Sequence, residues 1–316
     1  CYLLSVLLMT VWLTGCVQEE FESTPSPAGN GIRFTLTVPD VNLPSVSSRT
    51  MTGTGTAKKE DEIETVDILV FDMSKTPAVF LEWVSATGVT QDLADNSTVS
   101  FSAVLSPTTA STCIVVVANK ELDNIVSGFT KGATTKVEAM EKMLHTQTGK
   151  WLADGSTTGG YTRIPMYGEK VISKITPSMN PITEINMKRT LARIDIRNNS
   201  VTSNFMVEEV YLANYNTTGY IAPAWNTNGQ VTEPAPDTPV LPTGSGKMTE
   251  EGNAILYSVN GNTPYDGEIY TFESLAAGDA GGAGQDGEAS RKDATCLIVK
   301  GKIGTGESTF YRVDFT

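Results

Sequence analysis

The spacing of apolar and polar positions along the chain is mostly that of strands: alternation with a period of two recurs far more often than the helical period. Residues 32–38 (IRFTLTV) alternate strictly, so Ile32, Phe34, Leu36 and Val38 share one face that a core could cover. Residues 63–72 (IETVDILVFD) read as a central strand, and further strands are predicted at 79–84, 99–105 and 113–118. The last contains Ile114-Val115-Val116-Val117, a β-branched run that predicts burial on both faces. The best helical region is 121–145, where Val137, Met140, Met143 and Leu144 recur at helical spacing, a stripe that predicts core packing. Residues 183–197 (TEINMKRTLARIDIR) read as one strand with Ile185, Met187, Thr190, Ala192, Ile194 and Ile196 mostly on one face. Strands are then expected at 207–213, 254–259, 268–272, 294–303 and 309–315, separated by long loops at 223–249 and 275–292. Many short strands and one helical region predict a mainly all-β chain of two β-sandwich domains, with one or two short helices in the first. A polar turn between Pro177 and Pro181 places the division near 180, giving domains at 32–180 and 181–316.

The 316 residues suit two such domains. The charge is acidic, 36 Asp+Glu against 23 Lys+Arg for a net −13, which excludes the basic footprint that nucleic-acid binding requires. The four cysteines are Cys1, Cys16, Cys113 and Cys296, with no CxxC pair or Cys/His cluster, so no metal site is predicted. Cys113 and Cys296 each lie in an apolar run and read as buried thiols, with a disulfide between them the alternative.

The N-terminal 31 residues read as a leader and tether. Residues 2–13 (YLLSVLLMTVWL) form an uncharged apolar run, too short to span a bilayer but suited to a signal-peptide core. Leu13-Thr14-Gly15-Cys16 follows directly and matches a bacterial lipoprotein signal: small residues fit the peptidase, and the Cys16 thiol would carry the lipid. The acidic segment after Cys16 resembles a surface-export signal, with a plain solvated linker as the alternative, and its Ser/Pro/Gly content predicts a flexible tether. The chain begins at Cys1 rather than Met and stops on an alternating strand, so both ends are expected to be incomplete.

Catalytic signals are sparse, and no enzyme activity is predicted. The single histidine, His145, ends the helical region without a nucleophile elbow nearby and reads as a surface or helix-end residue. Glu60-Asp61-Glu62 precede a strand, where adjacent acids usually face water. Residues 281–286 (GGAGQD) match the start of a calcium-binding nonapeptide once only, with Glu288 where an apolar residue belongs, and read as a loop. No phosphate or dinucleotide fingerprint occurs, so no cofactor is expected. Trp151 and Trp225 would favour glycan binding if exposed as platforms, and packing is the competing reading.

Several segments in order resemble the FimA-type major fimbrillins, the type V pilins of Bacteroidales. They are the lipobox at 13–16, VDILVFD at 66–72, CIVVVAN at 113–119, IPMYGE at 164–169, MKRTLARIDI at 187–196 and YTFE at 270–273. The resemblance implies two transthyretin-like sandwiches and an outer-membrane lipoprotein precursor anchored through Cys16. It also implies an Arg-specific protease that cuts after the first strand. Removing that strand would open a groove for an extended segment of another subunit, an instance of β-strand addition. Here the strand would be Ile32, Phe34, Leu36 and Val38 with their neighbours, and the cut would fall between Arg49 and Thr50. Arg49 is the only arginine between Arg33 and Arg163 and sits in a polar Ser/Thr/Gly segment. The expected partners are other pilin subunits, the protease and, before processing, the outer membrane. The alternatives are a monomeric surface lipoprotein acting as an adhesin or glycan-binding module, or a non-polymerising tip or anchor subunit.

Overall fold

The computed structural model describes residues 32–37, 61–91, 98–147, 149–151, 162–177, 179–196, 204–232, 239–243, 247–248, 253–261, 265–274 and 294–315. In chain order the elements are β1 (Ile32–Thr37), β2 (Val66–Asp72), β3 (Val79–Ser85), β4 (Thr87–Gln91), β5 (Thr98–Ala103), β6 (Thr112–Ala118), α1 (Asp123–Val126), α2 (Lys136–Lys142), β7 (Leu144–Thr146), β8 (Met166–Ile172), β9 (Ile182–Asn186), β10 (Lys188–Arg189), β11 (Ala192–Ile196), β12 (Phe205–Ala213), β13 (Tyr215–Asn216), β14 (Thr218–Tyr220), β15 (Lys247–Met248), β16 (Ile255–Gly261), β17 (Tyr265–Thr271), β18 (Cys296–Ile303) and β19 (Thr309–Asp314). The fold is mainly β, as the alternation predicts.

The first sandwich packs a five-stranded sheet, β10-β8-β6-β2-β3, against a four-stranded one, β4-β5-β1-β9. Side chains alternate across each strand, so β2 sends Val66, Ile68 and Val70 to the core between the sheets. Its Leu69 and Phe71 point the other way, into a second core with Cys113, Val115 and Val117 of β6. That outer layer is closed by Leu122, by Ala139 and Met140 of α2, and by Ile221 and Ala222 from beyond β14. Both faces of β6 are therefore buried, which is why its sequence is apolar without alternation.

The helical region is shorter than its pattern suggests. α1 is a single turn, and α2 ends at Lys142, so Met143 caps it and Leu144 opens β7. Its start is well defined: Thr135 accepts from the Glu138 amide while the Glu138 carboxylate accepts from Thr135, a capping box. Lys136, in the first turn, is buried and donates to Glu169 Oε2 at 2.6 Å, where the Tyr167 hydroxyl also donates at 2.5 Å. Burial and the neighbouring Glu169 carboxylate push the Tyr167 hydroxyl well above its ordinary pKa.

The segment expected to form one strand at 183–197 divides into three, and each piece joins a different sheet. β9 completes the four-stranded sheet, β10 the five-stranded one, and β11 pairs with β17. Met187 and Leu191, buried between the pieces, anchor the two changes of direction. Residues 181–186, assigned by sequence to the second domain, thus supply β9 to the first sheet.

The second half has a four-stranded sheet, β16-β12-β18-β19, whose inner face meets β11 and β17. Val210, Leu212, Tyr257, Ile269 and Leu297 form its core, with Ile194 and Ile196 packed against it. The halves join where β14 pairs with β7 and where Trp151 and Ile164 meet Leu191, Tyr270 and Phe272. His145 lies in this seam, not at a helix end on the surface: its ring is 5.2 Å from Trp151 and 6.2 Å from Phe272. Both ring nitrogens are buried without a hydrogen-bond partner. Cys113 and Cys296 are both buried and no disulfide joins them, so the alternative of a bond between them does not hold. Burial pushes the Cys113 thiol up to about 12.

Candidate functional site

Of the residues singled out by sequence, Ile32, Phe34 and Leu36 lie in β1. It lies inside the four-stranded sheet, antiparallel to β5 and parallel to β9. The pairing with β5 runs unbroken from Ile32 opposite Ala103 to Thr37 opposite Thr98. The pairing with β9 sets Phe34 opposite Ile182 and Leu36 opposite Ile185, so one extra β9 residue must be absorbed between them. Glu184, with φ +61°, lies within that interval and takes up the extra length.

The predicted inward face is confirmed for the side chains described. Ile32 and Phe34 are buried in the inter-sheet core, and the Phe34 ring stacks on Phe101 with centroids 5.0 Å apart and planes 7° from parallel. Burial of side chains of this size stabilises by about 1.5–3 kcal/mol each. Leu36 belongs to β1 by its backbone pairing with Val99 and Ile185. Val38, Arg49, Thr50 and Cys16 lie outside the described residues, as does residue 60 of the acidic run.

Without β1, β5 and β9 would face each other as two unpaired edges, and Val99, Phe101, Ile182 and Ile185 would lose their cover. Beneath them Ile68, Val70, Ile114 and Val116 of the opposite sheet floor the same space. Such a slot offers backbone donors and acceptors on both sides and apolar pockets at alternate positions, which any strand of matching pattern can use.

The chain that leaves β1 returns at residues 61–65, and these are fastened by groups the sequence reading did not single out. Asn119, at φ +58°, donates from Nδ2 to the carbonyls of Glu62 at 2.8 Å and Ile164 at 2.9 Å, and its Oδ1 accepts from the Glu64 amide at 3.0 Å. Gln91 accepts from the Ile63 amide at 3.1 Å and donates to the Asp61 carbonyl at 2.7 Å. Of the acids expected to face water, Asp61 and Glu62 are partly exposed and also paired, Asp61 with Arg189 and Glu62 with Arg163 at 3.4 Å, and the exposed Glu64 beside them pairs with Arg163 at 2.6 Å. Asn119 follows the predicted strand at 113–118 directly, and a left-handed Asn after a strand was the one signal available.

The other candidates have structural roles. Trp151 is buried, its indole donating to the Thr162 carbonyl at 3.0 Å, and Trp225 packs edge-on to Tyr220 at 4.8 Å. Among the described residues no group of three or more His, Cys, Asp or Glu could hold a metal ion.

The described chain is thus built of two β-sandwiches, with β1 lying between two bonded partners. A family model, major fimbrial subunit protein (FimA), matches residues 32–290, from the first residue of β1 onward, and the chain belongs to that family. It is therefore a structural subunit of a cell-surface fimbria, and its partners are other fimbrial subunits. It is similar to the tip fimbrial protein Mfa3 from Porphyromonas gingivalis with C-terminal truncation, at 16% identity and TM-score 0.46 over 90% of this chain and 81% of that one. It is also similar to a fimbrial assembly protein from Parabacteroides distasonis, at 12% identity and TM-score 0.43 over 90% and 87%. No curated protein matches the chain.

Proposed function

We propose that this subunit is exported as a lipoprotein through Cys16 and polymerises by strand exchange at the β1 slot after an Arg-specific protease cuts between Arg49 and Thr50. The observation that carries this reading is the position of β1, bonded on both edges and buried on its core face, with residue 49 in the stretch between it and β2. Cleavage there would separate β1 and everything before it from the rest of the fold. β1 could then leave, and an extended segment of another subunit could take its place with the same bonding. The contacts of Asn119, Gln91 and Arg163 with residues 61–65 would hold the new N-terminal segment in place while the slot changes occupant.

The test uses the full chain in a lipid-free form, treated with an Arg-specific protease. The expected result is a new N-terminus at Thr50 and detergent-resistant ladders on gels or filaments by electron microscopy, both absent in Arg49→Ala. Resistance at Arg49, or clean cutting without higher species, would falsify strand exchange and leave the protein as an anchored adhesin or a non-polymerising tip or anchor subunit.

A further inference from the structure

The outer face of the five-stranded sheet carries a buried charge without a counter-charge. Side chains alternate along β2, so Asp67 shares this face with Leu69 and Phe71. Asp67 is only 8% exposed. Its Oδ1 accepts from the Ser85 hydroxyl at 2.7 Å, and its Oδ2 from the Leu122 amide at 3.0 Å. Among the described residues no lysine or arginine pairs with it. Buried carboxylates are rarely left so, because a charge withdrawn from water is costly without a partner. Asp67 lines a cavity of about 470 Å³ together with Glu64, Glu121 and Asp123, and no basic residue lines it. Trp83 lines it too, as the diagonal neighbour of Asp67 in the pairing of β2 with β3, about 7 Å away. Its indole N–H is buried without an acceptor.

We propose that this cavity receives an arginine side chain of a partner protein. Charge selects a cation: four carboxylates and no lysine or arginine line the space, so an anionic ligand would be repelled. The form of the acceptor selects a guanidinium over an ammonium. An ionised carboxylate offers about four lone-pair positions. The two bonds to Asp67 use one on each oxygen and leave one on each. Two parallel N–H groups of a guanidinium fit that pair, whereas an ammonium is a compact point charge. The Trp83 ring gives a planar cation a face on which to stack. Its indole N–H lacks an acceptor, and the peptide carbonyl that accompanies an arginine is one. A saccharide could serve the indole but would bring no charge to Asp67. Glu64 already pairs with Arg163, while Glu121 and Asp123 are exposed at the rim, where they would draw a cation in. This contact needs neither cleavage at Arg49 nor strand exchange, so it stands apart from assembly through the β1 slot.

The experiment uses the full chain with Cys16→Ser, which keeps lipid off. N-acetyl-arginine amide is titrated over roughly 0.1–50 mM and followed by indole fluorescence and calorimetry. Saturable binding with a Kd of about 1 mM is expected, weakening as salt is raised. The citrulline analogue has the same shape without the charge and is expected to bind at least about tenfold more weakly. The lysine analogue is expected to bind at least about threefold more weakly. Asp67→Asn is expected to weaken arginine binding at least about tenfold, and Trp83→Phe to abolish the fluorescence change. The exposed rim pair, Glu121→Gln with Asp123→Asn, tests the same charge without disturbing the core and is expected to weaken binding about threefold. Glu184→Gln, in the strand at the far side of the four-stranded sheet from β4, is expected to leave it unchanged. No saturable binding, equal binding of the citrulline analogue, full affinity in Asp67→Asn or in the rim pair, or binding of methyl glucoside in place of arginine would each overturn the proposal.

Discussion

Phe34 is the side chain on which the fit of β1 most depends. Its ring lies flat on Phe101 and its whole surface is covered, so Phe34→Ala leaves a cavity as well as losing the stack. A loss of about 3–5 kcal/mol is expected in urea unfolding, against under about 0.5 kcal/mol for Val104→Ala, since Val104 is 63% exposed. Asn119 tests a different kind of fastening. Asn119→Gly keeps the left-handed backbone but loses the side-chain bonds, whereas Asn119→Ala loses both. Both variants are expected to destabilise, and Asn119→Ala by about 1 kcal/mol more than Asn119→Gly, read from denaturant midpoints at unchanged slope. The inward face of Phe34 was legible because alternation is a local signal. The role of Asn119 was not, because its partners are 45 to 57 residues away in sequence and no local pattern encodes a contact of that span.

Among elements, β1 is short and isolated in sequence from the sheet it completes. Its neighbours β5 and β9 come from residues 98–103 and 182–186, so the sheet closes only when distant parts of the chain have met. A synthetic peptide of residues 32–37 added in excess to Arg49-cleaved protein is expected to slow ladder formation by competing for the slot, while a peptide with Phe34 replaced by Asp does not. Gel densitometry over time checks both, and equal inhibition by the two peptides would mean the apolar pocket is not the site of competition. The 183–197 segment shows why some elements escape a reading by pattern. The apolar positions shift from odd at Ile185 and Met187 to even at Thr190, Ala192, Ile194 and Ile196, and the backbone changes partner across this shift, at Met187 and Leu191, in ways that depend on which sheet each piece can reach. The run of helical spacing at 137–144 misled for a related reason: Met143 and Leu144 keep the period while serving as cap and strand.

At the scale of the molecule, the seam between the halves has its own dependence on pH. Burial, with a smaller contribution from Lys120, holds His145 down at about 4, against 6.5 for the free side chain. The unfolded chain therefore binds a proton between pH 6.5 and 4 that the folded chain refuses. Stability that is complete above pH 6.5 is expected to fall as pH drops through this window, by about 2 kcal/mol after allowance for partial exposure. His145→Phe is expected to flatten that part of the profile, measured by melting temperature from pH 7 to 4. Unchanged steepness would place the acid sensitivity elsewhere. The sequence could report only that one histidine exists; that it sits between Trp151 and Phe272 follows from the pairing of β7 with β14. The mainly β fold was legible from strand count and turn clusters, but residues 221–231 crossing back to cover the first half were not.

The bonding of β1 on both edges has a mechanical consequence. A strand held along both edges and pulled along its own axis must shear two rows of hydrogen bonds together, because each row shares the load across its length. A strand held along one edge would carry the same pull on a single row. Whatever strand occupies the place of β1 therefore shares its load between β5 and β9. A fibre joined through that slot would carry tension at its joints on two rows of bonds at once.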